Sequence, residues 1–384
     1  MTTGAPDVVV VGAGIIGAAC AYYAARAGLR VQVLDRGPVA GGTSSAGEGN
    51  LLVSDKPPGP ELTLMLHSLR LWHELAGELG PERIEFEPKG GLVVAESADG
   101  LAGLTALAGE HRDAGVTATA VAADELSGYE PELAPGLAGG MHYPEDLQVQ
   151  PMLATANLLR AARAAGAVVR TGVAVTDIVR SGDGGPVAGV RTAEGDVPTA
   201  AVVNAAGTWG GDVAALAGVP LPIAPRRGFI LVTQPLPPNT IRHKVYAAEY
   251  TANVASDEVG LESSAVVEST RSGTVLIGAS RERVGFDRTV ALPVLRRLAA
   301  QAVAMFPFLA RVAAIRSYTG FRPYCPDHLP VIGADPRVPG LYHACGHEGA
   351  GIGLAPATGA LVAAALTGTP PSVDPAPFRP ERFA

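Results

Sequence analysis

The sequence predicts an α/β protein, a parallel sheet covered by helices with a second, mixed-sheet α+β region inserted into it. Three observations carry that expectation. Residues 8–36, VVVVGAGIIGAACAYYAARAGLRVQVLDR, read as strand, tight turn, helix and second strand. Runs at 167–170 and 201–207, and a second glycine-rich turn into a helix at 346–356, read as returns to the same layer. The segments between, above all 227–232 and 274–278, are strand-rich and interrupted by Pro235, Pro237 and Pro238, which suits a mostly antiparallel sheet.

The first of these stretches carries chemistry as well as fold. Val8 to Val11 form an unbroken β-branched run, as expected of a parallel strand buried on both faces. Gly12 permits the tight turn, Gly14 lets backbone N–H groups approach a pyrophosphate, and Gly17 lets the helix pack closely on its strand. The helix opening at Ile15 and Ile16 offers free N–H donors and a partial positive charge, so phosphates are favoured there without a lysine. Asp35 ends the second strand, where a carboxylate accepts ribose hydroxyls and repels a 2′-phosphate. The unit is Rossmann-like and predicts a dinucleotide site.

Composition narrows the class. At 384 residues and 47% hydrophobic, the chain can build two or three domains around a large core. Its formal net charge of -8, with no basic stripe, argues against a nucleic-acid partner. Cys20, Cys325 and Cys345 form an odd, widely spaced set without a CxxC, so no disulfide framework, iron–sulfur cluster, zinc site or other metal is expected, and a reducing cytoplasm fits best. Val8 to Ala25 is uncharged and long enough to span a bilayer, but the glycine spacing and the following strand explain it better. No cationic region precedes it, so neither a membrane span nor a signal peptide is expected.

Taken in order, Gly41 to Leu51 is a small-residue loop with four glycines and three hydroxyls, able to wrap a ligand with backbone donors. Asp55 to Pro60 reads as proline-punctuated loop, and Glu61 to Leu79 as a helix with Leu62, Met65, Leu66, Leu69, Trp72 and Leu79 at helical spacing. His67 and His73 on it read as surface or supporting groups and stay outside the site. Strands are expected at 90–95 and 139–143 and a helix at 101–114; Pro151 opens a helix to about Ala165, with Gly166 after its end. Gly182-Asp183-Gly184-Gly185 reads as a turn between two strands, and a helix runs from about Pro293 to Phe306. Tyr318 to Pro323 opens a glycine- and proline-punctuated return.

Several of these pieces, in this order, resemble the FAD-dependent D-amino-acid oxidase-like superfamily. They are the Gly12 cradle, Thr43-Ser44-Ser45 with Gly49-Asn50-Leu51, Leu66 to Trp72, Val203 to Trp209, Phe321-Arg322-Pro323 to Gly333, and Gly346 to Pro356. The resemblance runs nearly end to end, in the branch of glycine oxidase, hydrogen cyanide synthase, opine oxidase and dye-linked proline dehydrogenase subunits.

It implies non-covalent FAD. Gly12, Gly14, Ile15, Ile16 and Gly17 would hold the pyrophosphate, Asp35 and Arg36 the adenosine end, and Val175 the adenine through its backbone. Thr43, Ser44, Ser45, Gly47, Gly49, Asn50 and Leu51 would flank the isoalloxazine from one loop; Gly346, His347, Glu348, Gly349, Ala350, Gly351 and Ile352 would do so from another. Ala206, Gly207 and Trp209 reach the cofactor from a strand end. On the substrate side the resemblance nominates Arg322 for a carboxylate, which a guanidinium binds with two parallel bonds, and Tyr246 and Tyr250 to close over the ligand, with His347 beside them.

Two departures are informative. Gly349 stands where glycine oxidase carries a second arginine, which implies a more open pocket. Gly320 stands where monomeric sarcosine oxidase attaches its flavin to a cysteine, which excludes that link. The expected division places the FAD-binding domain at 1–85, 140–222 and 318–384 and the substrate domain at 86–139 and 223–317. The expected reaction is oxidation of the C–N bond of an amino acid or N-substituted amino acid, with hydride passing to flavin N5 and an imine as product. Resemblance of 267–287 and 346–356 to dehydrogenase subunits implies a dye-like carrier or an electron-accepting partner subunit as acceptor. The alternative is a flavin-holding relay subunit with little activity alone.

Overall fold

The computed structural model describes residues 4–182, 184–254 and 256–384; Asp183, in the expected turn at 182–185, lies outside them. Its first sheet has six strands, in the order Val331–Ala334, Leu341–Cys345, Ala201–Asn204, Val8–Val11, Val31–Asp35, Val168–Thr171. All neighbours are parallel except the edge strand Val331–Ala334. Strand order reverses at Val8–Val11, which pairs with Val31–Asp35 on one side and Ala201–Asn204 on the other. In such a sheet a crevice opens at the carboxyl ends of the strands where the order reverses. Val8, Val9 and Val10 are fully buried, as their β-branched run requires.

Helix Ile15–Arg26 covers this sheet and is itself covered by Pro151–Ala164 and Gly351–Thr367, while Pro60–Leu79 packs on the last of these. Small residues set the spacing. A Cβ on Gly359 would lie 2.7 Å from the Ala19 carbonyl and 2.8 Å from the Tyr23 ring, so the two helices meet backbone to backbone.

The second sheet has eight strands, in the order Ala314–Tyr324, Ala224–Thr233, Val275–Arg281, Glu262–Ser269, Lys244–Ala247, Gly91–Ala95, Gly139–Tyr143, Thr119–Ala122. It is antiparallel apart from the pairing of Lys244–Ala247 with Gly91–Ala95. Alternation along its strands sends Phe229, Leu231, Val245, Val267 and Ile277 into a core with helix Leu292–Met305. Gly228 and Ile230, one residue out of step, face the other way, toward the crevice of the first sheet.

Two features differ from the sequence reading. The segment opening at Tyr318 is the inner part of an eleven-residue edge strand, Ala314–Tyr324, whose Pro323 stands opposite Pro225. Two facing prolines have no N–H to exchange, so they fit a pair that makes no ladder bonds; Pro323 lies on the edge strand and Pro225 at the start of its own, where proline is tolerated. The expected boundaries at 140 and 318 also cut strands Gly139–Tyr143 and Ala314–Tyr324, both of which belong wholly to the eight-stranded sheet. Ladder hydrogen bonds hold each strand along its length, so the chain changes layer after Tyr143 and after Tyr324.

Gly359→Ala places a methyl into backbone and ring atoms. It is expected to lower stability by about 1–3 kcal/mol, read as a lower urea midpoint with unchanged slope.

Candidate active site

One elongated cavity runs from the carboxyl ends of the first sheet to the inner face of the second. At its first end the Gly12 turn is seated by contact. Gly12 has φ +116°, and a Cβ there would lie 2.4 Å from the Ala205 carbonyl oxygen; one on Gly17 would lie 2.0 Å from the Gly12 oxygen. Gly14 is different, since its conformation suits any residue and its missing side chain leaves room in the cavity wall. Helix Ile15–Arg26 begins there with no acidic residue in its first turn and no side-chain cap from Gly14. Ser44 Oγ accepts from Ile15 N at 3.0 Å, which leaves its own hydrogen for an anion.

Asp35 accepts from Ala13 N at 2.6 Å and from Gly37 N at 2.7 Å and also lines the cavity. It therefore braces the glycine turn, and its carboxylate keeps lone pairs for two ribose hydroxyls. The Arg36 guanidinium lies 4.4 Å over the Trp209 ring, and Phe286 stacks on the same ring at 5.2 Å. Val175, Ala206 and Gly207 complete this end.

The middle is formed by the 43–56 loop and the start of helix Gly351–Thr367. Thr43 and Thr208 both donate to the Phe321 carbonyl, at 2.7 and 3.0 Å, which ties the loop to the edge strand of the other sheet. Gly47, Gly49 and Asn50 face the cavity from the loop; His347, Glu348, Gly349, Ala350, Gly351 and Ile352 face it from the turn. His347 Nε2 lies 3.0 Å from Thr358 Oγ1, and burial lowers the imidazole to about 3, so it is neutral at ordinary pH. Its Nδ1 is buried without a hydrogen-bond partner among the described residues. Glu348 is engaged by His328 Nδ1 at 2.8 Å and by Arg226 at 3.5 Å.

At the far end Arg322 extends over Gly228, where a Cβ would lie 2.4 Å from Nη1. Nη1 donates to the Ser280 carbonyl at 2.8 Å, and no carboxylate lies within 4.0 Å of the guanidinium among the described residues. Burial, then the Arg281 charge, lowers it to about 10, which leaves it cationic at neutral pH. Tyr250 lines the cavity, with the Arg281 guanidinium 5.1 Å over its ring.

Five nominated residues stand behind the wall. Tyr246 is fully buried under Tyr250, and its hydroxyl donates to Ser54 Oγ at 2.6 Å. It braces the loop, because Ser54 in turn donates to the buried Asp146. Gly17 and Gly346 (φ +78°) serve backbone geometry, Ser45 Oγ donates to the Gly42 carbonyl, and Leu51 pairs with Leu147 in the core. The sequence reading in turn passed over Glu48, Asp55 and Lys56, all buried and all in the wall. Lys56 Nζ lies 2.6 Å from Asp55 Oδ1; burial would lower it, but the Asp55 and Glu61 charges hold it above its usual range. Charges inside the small and apolar run AGEGNLLVSDK were the available signal.

The chain matches the FAD dependent oxidoreductase family over residues 7–365 and belongs to it. It is 30% identical to glycine oxidase of Pseudomonas putida over 98% of both chains. Its fold superposes on glycine oxidase from Geobacillus kaustophilus with a TM-score of 0.87 at 30% identity, over 97% of this chain and 98% of that one. For iminodiacetate oxidase from Chelativorans sp. BNC1 the TM-score is 0.84 at 26% identity, over 97% and 98%. The protein is thus an FAD-dependent oxidoreductase. The residues fit that cofactor: a glycine cradle, an acid-free helix start, a carboxylate with spare lone pairs and an unpartnered imidazole nitrogen stand along one cavity. No helix among the described residues is long and apolar enough to cross a membrane.

Gly14→Val would fill the cavity where a pyrophosphate must approach the backbone. The purified variant is expected to be colourless, whereas acid precipitation of the wild type should release all of its flavin as free FAD.

Proposed function

We propose that this protein oxidises the C–N bond of a carboxylate-bearing amine, an amino acid or N-substituted amino acid, to an imine that water hydrolyses. The observation that carries the reading is Arg322, a half-buried cation on the cavity wall with one donor used and no carboxylate partner among the described residues. A guanidinium held this way is suited to a substrate carboxylate, which would accept two parallel bonds from it. The names of the relatives agree, since glycine and iminodiacetate are both carboxylate-bearing amines.

FAD, when bound, supplies the acceptor for the hydride that leaves the substrate carbon. The chain supplies the rest. Arg322 fixes one end of the substrate, Tyr250 and Ile230 close the wall beside it, and neutral His347 adds no charge that would compete for the carboxylate. Gly349 lies against Arg322, where a Cβ would be 3.5 Å from Nε, so that flank stays open to a substituent larger than hydrogen on the amine or the α-carbon. No cysteine among the described residues lines the cavity, and Cys20, Cys325 and Cys345 are buried elsewhere, in keeping with non-covalent FAD. Electrons leave to an external carrier or an electron-accepting partner subunit, as the dehydrogenase-like segments imply.

Removing one partner of a buried charged pair costs about 2–5 kcal/mol, so Arg322→Ala should lower kcat/KM by about two to three orders of magnitude with FAD content unchanged, and Lys should restore part. Normal kinetics with carboxylate substrates would refute the assignment. The isolated chain should turn over with an artificial dye; reoxidation by oxygen fast enough to sustain that turnover would make it a self-sufficient oxidase, and no turnover at all would favour the relay subunit.

A further inference from the structure

We infer that Glu48 is the anion that recognises the substrate nitrogen, so that the amine-bearing ligand binds as a zwitterion between Glu48 and Arg322. The inference rests on the amino-acid reading above and adds to it the protonation state in which the amine first binds and the residue that selects for it. One ammonium proton passes to the Glu48 carboxylate before hydride leaves the carbon, because the nitrogen needs a lone pair to form the imine.

Glu48 lines the same cavity, and its side chain is only 6% exposed. One oxygen is held: Oε2 accepts from Asn50 Nδ2 at 3.0 Å and lies 3.9 Å from Lys244 Nζ. The other, Oε1, is buried with no hydrogen-bond partner among the described residues. A buried carboxylate oxygen left without a donor is costly, and the cost is relieved where a ligand brings the donor.

The surrounding charges favour a cation as that ligand. Lys244 Nζ stands 3.9 Å from Glu48 and 3.7 Å from Glu268 and hydrogen-bonds to neither, so one ammonium is shared by two buried carboxylates. Burial pushes the Glu268 carboxyl above its usual range while the Lys244 charge opposes that shift, so with both acids ionised one negative charge is left over in a place where unbalanced charge is disfavoured.

Position supplies the second half of the argument. The backbone carries Arg322 and Glu48 along one strand face. A Cβ on Gly228 would touch Arg322 Nη1, and one on Gly278 would lie 2.3 Å from Glu48 Oε1 and 3.1 Å from the Ile230 side chain. Gly228 and Ile230 are two residues apart in strand Ala224–Thr233 and both line the cavity, which separates the two charged heads by about 7 Å along the strand. A carboxylate and an ammonium on one carbon, each with its own hydrogen bonds, fit between them. Glycine at both places is what allows the two heads to lie flat on the sheet.

The test uses the FAD-loaded protein and two isosteric ligands that cannot be oxidised at Cα: 2-aminoisobutyrate, which has an ammonium, and pivalate, which has a methyl in its place. Dissociation constants are read from the change each causes in the visible flavin spectrum. The wild type should bind 2-aminoisobutyrate at least about tenfold more tightly than pivalate, as a charge-assisted hydrogen bond to a buried acceptor implies. Glu48→Gln should reduce that ratio to about twofold or less while pivalate binding stays the same, and Glu48→Asp, which withdraws the carboxylate by one methylene, should give a ratio between. FAD content and urea midpoint serve as controls, and if the Gln variant does not hold FAD the Asp variant decides.

An unchanged ratio in the variants, or equal weakening of both ligands, would overturn the role of Glu48. Arg322→Ala that left both dissociation constants unchanged would instead overturn the carboxylate reading while the Glu48 ratio stood. Failure of the wild type to bind either ligand would remove both.

Discussion

The cofactor half of this protein depends on one backbone contact, the approach of Gly17 to the Gly12 carbonyl. A Cβ at either glycine would stand within 2.4 Å of a backbone oxygen, so helix, turn and the exit of strand Ala201–Asn204 are stacked with no side chain between them. That closeness points the free N–H end of helix Ile15–Arg26 into the crevice where the strand order reverses. Asp35 then locks the arrangement by accepting from Ala13 in the turn and from Gly37 in the loop that follows its own strand. The same economy of side chains recurs at Gly359, where the helix leaving the 346–351 turn lies directly on Ala19 and Tyr23. The two glycine-rich turns are thus mechanically joined although they are more than three hundred residues apart in sequence.

Burial sorts the charges at the other end. Desolvation disfavours the charged form of every base it touches, yet the outcome depends on where each base starts. Arg322 falls to about 10 and stays a cation; His347 falls to about 3 and becomes neutral. Lys56 and Lys244 remain charged because carboxylates stand beside them. Arg322, Lys56 and Lys244 therefore stay cationic near neutrality while His347 stays uncharged, and polar ties outside the wall hold the loop in place. Thr43 and Thr208 converge on the Phe321 carbonyl, and Tyr246, Ser54 and Asp146 form a chain beneath the loop.

Local sequence was a good guide wherever a residue's job is set by its immediate neighbours. The glycine spacing at 12, 14 and 17, the acid at 35 and the turn at 346–351 were all legible, because tight turns and helix starts are decided within a few residues. The resemblance supplied Arg322, which no spacing rule would have singled out. Tyr246 and Tyr250 could not be separated in this way: four residues apart and both aromatic, one faces the cavity and the other props up its floor. Ser45 and Leu51 sit in the right loop and point away from the cavity, toward Gly42 and toward the core.

By itself, the sequence determined a dinucleotide cradle, a mostly antiparallel companion sheet and the identity of the cofactor, since each rests on short-range backbone geometry or on a run of motifs in order. Only the tertiary structure decided which charges share the cavity. Glu48, Asp55 and Lys56 read as ordinary loop polarity until the loop is seen clamped between two sheets, and Glu48 meets Lys244 and Glu268 across some two hundred residues of chain. The reason is physical: a charge acquires its chemical meaning from what is desolvated beside it, and those neighbours are chosen by the packing of distant strands.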